Sequence, residues 1–181
     1  ISALSDDGYT VIGDQKPSGI CGSGLIDLVA WLCDNNRIDT GGRMEDDYTI
    51  VTATETATGQ SISLSQDDIR EVQLAKSAIA SGIKILVKQS GMNFDQIDAL
   101  FLAGGFGNYI NTESAIRIGL LPVEMKDKII PLGNTSGTGA ILALKSVKFD
   151  DIIKELLYKT KHIELAADEV FATEFAMNMM F

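Results

Sequence analysis

Two stretches carry the residue types that can close around a flat or anionic ligand. One is Gly104-Gly105-Phe106-Gly107-Asn108 and the other runs Gly133-Asn134-Thr135-Ser136-Gly137-Thr138-Gly139. Glycine tolerates positive φ and lets another group approach the main chain closely. The first stretch suits the approach of a planar ring. The second offers N–H groups and hydroxyls to a sugar or a phosphate. Each follows a short apolar run, Leu100 to Ala103 and Ile129 to Leu132. A strand that ends in glycines, with a helix soon after, is the usual mouth of an α/β ligand site. A tight turn chosen for packing alone is the competing reading. In a parallel sheet the two strand ends would lie side by side, and the loops would share one crevice. Neither loop is a P-loop, because Gly-x-x-x-x-Gly-Lys-Ser/Thr is absent, and so is the dinucleotide fingerprint.

Other reactive side chains are sparse. Cys21 precedes a predicted helix N-terminus, a position that can lower a thiol pKa and supply N–H groups to an oxyanion. No motif supplies its base, so a Cys21-dependent acyltransferase is a remote alternative. Cys33 reads as helix packing, and twelve residues along one helix separate the two thiols too far for a disulfide. His162 is the only histidine, which disfavours zinc. Two cysteines cannot supply the four thiolates of an iron–sulfur cluster. Asp67 and Asp68 are first-turn helix residues, Asp98 precedes a strand, and Asp27 faces off the Leu25/Leu28 stripe. No catalytic residue and no metal ligand is assigned.

The elements that must position the loops follow from periodicity. Tyr9 to Ile12 reads as a strand after the Asp6-Asp7-Gly8 turn. Leu25, Leu28, Val29 and Leu32 form a helix face, with Ser23 as cap and Gly22 and Gly24 leaving the first turn open to a close neighbour or an anion. Tyr48–Thr52 and Ser61–Leu64 predict a small antiparallel ribbon. A long helix is predicted over 65–89, with Ser65 as cap and Ile69, Val72, Ala75, Ile79, Ile83 and Leu86 as its buried stripe. Gly82 implies close helix contact, and Gly91 is the stop. Asn111 or Thr112 caps a short helix ending by Gly119. Pro131 marks the second strand as an edge or a strand end. A helix follows through Ala140 to Val147, another from Phe149, then a strand His162–Leu165 and a terminal helix anchored by Phe175, Met179 and Phe181.

The totals bound the function. The chain has 181 residues, 45% apolar content and a net charge of −10 from 25 acidic and 15 basic residues. That is enough for one core and two small lobes. The acidic balance and the lack of a Lys/Arg cluster argue against nucleic acid and against an anionic membrane surface as partners. No secretion signal and no long apolar run appears, so a cytoplasmic protein is the expectation. The chain opens Ile1-Ser2-Ala3 without methionine, which suits a processed product or a fragment of something longer.

Five blocks taken in order are specific to one family. They are Pro17-Ser-Gly-Ile-Cys-Gly-Ser-Gly-Leu-Ile-Asp27, Leu64 to Ile79, Phe101-Leu-Ala-Gly-Gly-Phe-Gly-Asn-Tyr-Ile110, Ser114 to Pro122, and Leu132-Gly-Asn-Thr-Ser-Gly-Thr-Gly-Ala140. The series resembles the C-terminal part of the reductive activators of corrinoid proteins, ATP-dependent iron–sulfur proteins related to the methylamine methyltransferase activator. The resemblance covers nearly the whole chain. It implies an α/β fold, an RNase-H-like lobe of the actin/sugar kinase/Hsp70 type, with a mixed sheet flanked by helices. Residues 1–64 would form the region around the interlobe cleft with its ribbon, and 65–181 the C-terminal ATPase lobe.

The resemblance also implies roles. Gly104, Gly105, Phe106, Gly107 and Asn108 look like the adenosine motif of that superfamily. Gly133, Asn134, Ser136 and Gly137 look like a loop near the nucleotide end of the same lobe. The Asp-x-Gly-Thr/Ser phosphate loops and a ferredoxin-like cysteine set are missing. ATP with Mg²⁺ and an iron–sulfur cluster are thus implied for a longer protein, the cluster lying outside this chain. This piece alone is expected to be inactive. The longer protein would reduce cob(II)alamin to cob(I)alamin in a corrinoid protein or a corrinoid iron–sulfur protein, serving a methyltransferase system, with a homodimer as one expected arrangement. A non-catalytic docking or dimerisation module is the alternative.

Overall fold

The computed structural model describes the backbone of residues 1–181 and all side chains except those of Asp14, Phe106 and Asn108. The chain starts with a hairpin of β1 (Ala3–Ser5) and β2 (Gly8–Thr10), closed by a turn in which Gly8 takes φ +117°. The second strand ends two residues earlier than its sequence suggests. Gly13, at φ +76°, turns Ile12–Asp14 into a 3-10 turn instead.

The hairpin rests on α1 (Gly22–Asp34), whose Leu28, Val29 and Leu32 are buried at the centre of the main core. That helix starts differently from expectation. Cys21 holds the N-cap position without a side-chain bond to the helix, while the Ser23 hydroxyl donates to the Ser2 carbonyl at 2.8 Å. The close neighbour of the Gly-Ser-Gly opening is the chain's own first residue. A Cβ on Gly24 would stand 2.6 Å from the Ile1 carbonyl oxygen.

β3 (Tyr48–Val51) and β4 (Ile62–Leu64) form the expected antiparallel ribbon, with Ile62 and Leu64 inward and Ser63 outward. Then α2 (Gln66–Gln89) begins at a capping box. Ser65 Oγ accepts from the Asp68 N–H at 3.2 Å, and the Asp68 carboxylate accepts from the Ser65 N–H at 2.8 Å. Its buried side departs from the apolar stripe. Ile69 and Val72 are inside, but so are Gln73, Lys76, Ser77 and Ser81, while Ile79 and Leu86 are 47% and 49% exposed and Ala75 is exposed. The cause lies at the other end of the chain, where residues 171–181 cover that polar side and satisfy it with main-chain groups. Gly82 is approached by Leu165, whose Cδ1 would stand 3.3 Å from an added Cβ.

β5 (Leu100–Ala103) and β6 (Ile129–Gly133) pair in parallel. Between them run α3 (Gly105–Tyr109), α4 (Thr112–Arg117) and a 3-10 segment, Val123–Lys128. Asn111 caps α4, accepting from the N–H groups of Glu113 and Ser114. Ala115 and Ile118 join the α1 core from this connection. β6 is the predicted edge, with Pro131 opposite Leu102. The strands are less covered than an apolar run suggests, and Phe101 is 59% exposed. Each strand here has one hydrogen-bonded neighbour.

The last part comprises α5 (Thr135–Lys145), α6 (Val147–Lys159) and α7 (Phe171–Met177). Ser146 alone joins α5 to α6. The predicted strand at His162–Leu165 does not form, since no neighbouring strand pairs with it; a 3-10 turn, Leu165–Ala167, follows instead. Among the described residues no helix is long and apolar enough to cross a membrane.

Candidate functional site

The parallel register brings the two glycine loops together. Leu100, Phe101 and Leu102 stand opposite Ile129, Ile130 and Pro131, and after one irregular step Ala103 stands opposite Gly133. The Gly104 N–H then donates to the Gly133 carbonyl at 2.7 Å. Both residues turn the chain off the sheet at the same level, with φ of +97° at Gly104 and +68° at Gly133. That conformation is strained for any residue with a Cβ. Beyond them α3 starts at Gly105 and α5 at Thr135, so both helices open at the carboxyl ends of the paired strands.

The site residues divide by what surrounds them. A Cβ on Gly104 or Gly105 would meet no heavy atom within 4 Å, so this part of the mouth is open. Gly107 is buried, and a Cβ there would stand 3.2 Å from the Leu102 carbonyl carbon. It lets α3 lie on β5 and faces no ligand space. The side chains of Phe106 and Asn108 lie outside the described residues; their backbone belongs to α3.

On the second loop the sequence suggests irregular chain up to Gly139, whereas α5 already begins at Thr135. Asn134 is the reason, because its Oδ1 accepts from the Gly137 N–H at 3.0 Å and caps the helix. Gly137 leaves room for that cap, since an added Cβ would stand 3.0 Å from Asn134 Nδ2. Ser136 is exposed in the first turn. The first N–H groups of a helix lack intrahelical acceptors, and the cap takes only one of them. The structure thus sets the Gly104–Gly105 turn beside Gly133 and the start of α5 that holds Asn134 and Ser136, while Gly107 and Gly137 serve packing and capping.

Cys21 and Asp27 are tied to the first strand region. Cys21 Sγ donates to the Ile1 carbonyl at 2.9 Å, and no basic side chain bonds to it among the described residues. Burial raises the Cys33 thiol pKa, with the Arg117 charge opposing. Asp27 is buried, and its Oδ2 accepts from the Leu4 N–H at 3.3 Å, which ties the hairpin to α1. Its Oδ1 has no partner among the described residues. His162 and Asp98 are exposed. The apolar stripe did not point to Gln73, Lys76, Ser77 and Ser81. Their three-and-four spacing on a helix was the available signal.

The donor sets fit the implied groups unequally. The open glycines and the hydroxyl-bearing helix start fit a base and a ribose. Among the described residues no group of three or more His, Cys, Asp or Glu side chains could hold a metal ion. The two cysteines at the ends of α1 do not make a cluster-binding set.

Comparison with known proteins is consistent along the whole chain. The profile described as the C-terminal domain of RACo, the ASKHA domain, matches residues 2–181. The chain is 36% identical over 194 aligned residues to the "Corrinoid activation enzyme RamQ" of Eubacterium limosum, covering 96% of this chain and 33% of that protein. It is 28% identical over 156 residues to the "[Co(II) methylated amine-specific corrinoid protein] reductase" of Methanosarcina barkeri, covering 84% of this chain and 27% of that one. A solved structure, "Reductive activator for corrinoid,iron-sulfur protein", superposes with a TM-score of 0.90 at 33% identity, covering 99% of this chain and 31% of the other. The chain therefore spans about a third of the length of these relatives. With an α/β fold that superposes on such an activator and a profile match from residue 2 to residue 181, the chain belongs to the family of the C-terminal, ASKHA domain of RACo.

Proposed function

We propose that this domain is the adenosine-binding lobe of an ATP-dependent activator that returns inactive cob(II)alamin in a corrinoid protein to cob(I)alamin for methyl transfer. The observation that carries the reading is the meeting of the two loops, where the Gly104 N–H and the Gly133 carbonyl bond at the carboxyl ends of β5 and β6. The names of the relatives and the family membership supply the corrinoid part.

In this reading Gly104 and Gly105 let the base lie against the main chain, and the start of α5 with Ser136 faces the ribose side. Residues 65–181 act as the C-terminal lobe, and 1–64 border the cleft. ATP with Mg²⁺, when bound, supplies the driving force for an electron transfer that is otherwise uphill. The phosphate loops and the iron–sulfur cluster belong to the portion of an activator of relative-like length that this chain does not span. No step is assigned to the cluster here, because Cys21 and Cys33 do not fit one.

A nucleotide-binding titration of an activator containing this domain plus its phosphate-loop portion tests the reading. Saturable ATP binding that Gly105→Val abolishes, with an unchanged melting curve, supports it. An absence of ATP binding in that longer protein overturns the nucleotide role.

A second reading, a docking or dimerisation surface, is favoured by the α5–α6 hairpin. Leu144, Val147 and Leu157 are 89%, 88% and 69% exposed there. Capture of the corrinoid protein that is indifferent to nucleotide and to Gly105→Val, but lost on Leu157→Asp, supports this alternative.

A further inference from the structure

The contact between α1 and the first hairpin is polar. Ser23, Asp27 and Trp31 stand four residues apart and so share one side of the helix. Each reaches β1 or a residue flanking it. The Ser23 hydroxyl donates to the Ser2 carbonyl at 2.8 Å, Asp27 Oδ2 accepts from the Leu4 N–H at 3.3 Å, and Trp31 Nε1 donates to Asp6 Oδ1 at 2.8 Å. The middle bond is the poor one, being longer than an ordinary N–H···O contact. The second oxygen of that carboxylate, Oδ1, has no partner among the described residues.

Asp27 is 5% exposed. A carboxylate buried to that extent is costly unless donors or a cation compensate it. The basic side chains nearby are committed elsewhere, Arg117 to Asp34 and Lys126, at 3.7 Å, to Glu113. Asp27 lies on the floor of a cleft of about 600 Å³ between β1, the second half of α1 and the start of α4. Asp6, Asp34 and Glu113 stand around it, Trp31 forms a wall, and Arg117 is the one basic side chain lining it. No residue of the Gly104–Gly133 mouth takes part.

Size and composition narrow the ligand. A cleft of this volume takes a small organic group. Among the described residues no set of three or more His, Cys, Asp or Glu side chains is placed to hold a metal ion. Four carboxylates against one guanidinium favour a cation over an anion. The open acceptor on Asp27 calls for N–H groups. A guanidinium supplies both, forks onto a carboxylate, is weakly hydrated and lies flat against an indole.

We propose that the cleft between β1, α1 and α4 binds an alkylguanidinium group, carried by a free small molecule or by an arginine side chain of a partner protein. Asp27 is its buried acceptor. A turn about the soft χ2 torsion of the aspartate brings Oδ1 to the cleft, and the long Oδ2 bond to Leu4 has little to lose. Trp31 gives the flat wall, and Asp6 adds charge beside it.

The test is a heteronuclear NMR titration of the full chain, read at the indole N–H of Trp31, the only tryptophan, and at the Leu4 amide. Ethylguanidinium probes the free source, and a blocked tripeptide with arginine in the middle probes the side-chain source. Potassium chloride at equal ionic strength is the control. Ethylguanidinium should shift both signals saturably, and potassium chloride should not. Asp27→Asn should weaken binding about tenfold or more, the cost of one hydrogen bond to a charged group. Asp6→Asn, at an exposed position, should weaken it less and serves as the variant if Asp27→Asn does not fold. Saturation by the tripeptide as well assigns the site to a protein side chain, and saturation by ethylguanidinium alone assigns it to a free molecule. The site is overturned by a shift that does not saturate, by an equal shift with potassium chloride, or by native affinity in Asp27→Asn, or in Asp6→Asn where that variant stands in.

Discussion

The Gly104 N–H donates to the Gly133 carbonyl at 2.7 Å, and both residues occupy the left-handed half of backbone space. One hydrogen bond thus couples two turns that lie about thirty residues apart in sequence. The neighbouring glycines differ in purpose, which separates stability from binding. Gly104→Ala forces a Cβ onto a φ of +97° and should lower unfolding free energy by about 1–2 kcal/mol in urea titration. Gly105→Ala enters open space at a helix start and should leave stability within about 1 kcal/mol. The same variant should weaken nucleotide binding in the longer activator, because its methyl group fills the space assigned to the base.

Gly42 offers a second separation. It sits at φ +84°, and a Cβ there would run into the Gln73 amide. That amide is not free to swing away, being held by the Gly41 and Met179 carbonyls and by Arg70. Gly42→Ala should therefore cost about 2–3 kcal/mol of stability. It should also raise the rate of thermolysin cleavage within 171–181 of the folded chain, since it disturbs the bond from Gln73 to the Met179 carbonyl.

The start of α1 makes a third case. Alanine normally gains about 1 kcal/mol over glycine inside a helix. At Gly24 the gain is outweighed, because the added methyl group meets the Ile1 carbonyl oxygen at 2.6 Å. That carbonyl already accepts from the Cys21 N–H and the Cys21 thiol and cannot withdraw without losing both. Gly24→Ala should lower the melting midpoint, by a net of about 1–2 kcal/mol in chemical denaturation.

The capping box of α2 carries a pH signature. Hydrogen bonds from the Ser65 side chain and main chain hold the Asp68 carboxyl below the ordinary aspartate range. A depressed carboxyl pKa gives stability that is present above the ordinary value and lost as pH falls through the lowered one. Ser65→Ala should cost about 1 kcal/mol at pH 7. The difference between native and variant should narrow under acid, as read by denaturation midpoints at pH 7, 4 and 3. A difference that stays constant down to pH 3 would count against the assignment.

Much of the site was legible because its signals are local. A short apolar run before glycines marks a strand end, so both loops could be found without knowing the fold, whereas the start of α5 at Thr135 was hidden because the Asn134 cap and the small residues after it read as irregular chain. The meeting of the two loops required the parallel register, which a single run does not encode. The burial of α2 was misread for the opposite reason. Ile79 and Leu86 fit an apolar stripe, yet the side that is covered depends on which distant segment arrives, and the polar groups of Gln73, Lys76 and Ser77 match carbonyls rather than side chains. The predicted strand at His162–Leu165 failed similarly, since alternation without a partner strand does not make a ladder.

The polar face of α2 has a consequence for how the chain matures. The bonds that satisfy Gln73, Lys76 and Ser77 span 106, 104 and 98 residues. During synthesis α2 leaves the ribosome long before its cover, and closing so long a loop is entropically the most demanding kind of contact to form early. Docking of residues 171–181 on α2 is thus a late event in assembly, and until it happens, α2 shows solvent a wet, charge-bearing surface instead of an adhesive one. A polar seam that waits in water is a safer intermediate than a bare apolar groove.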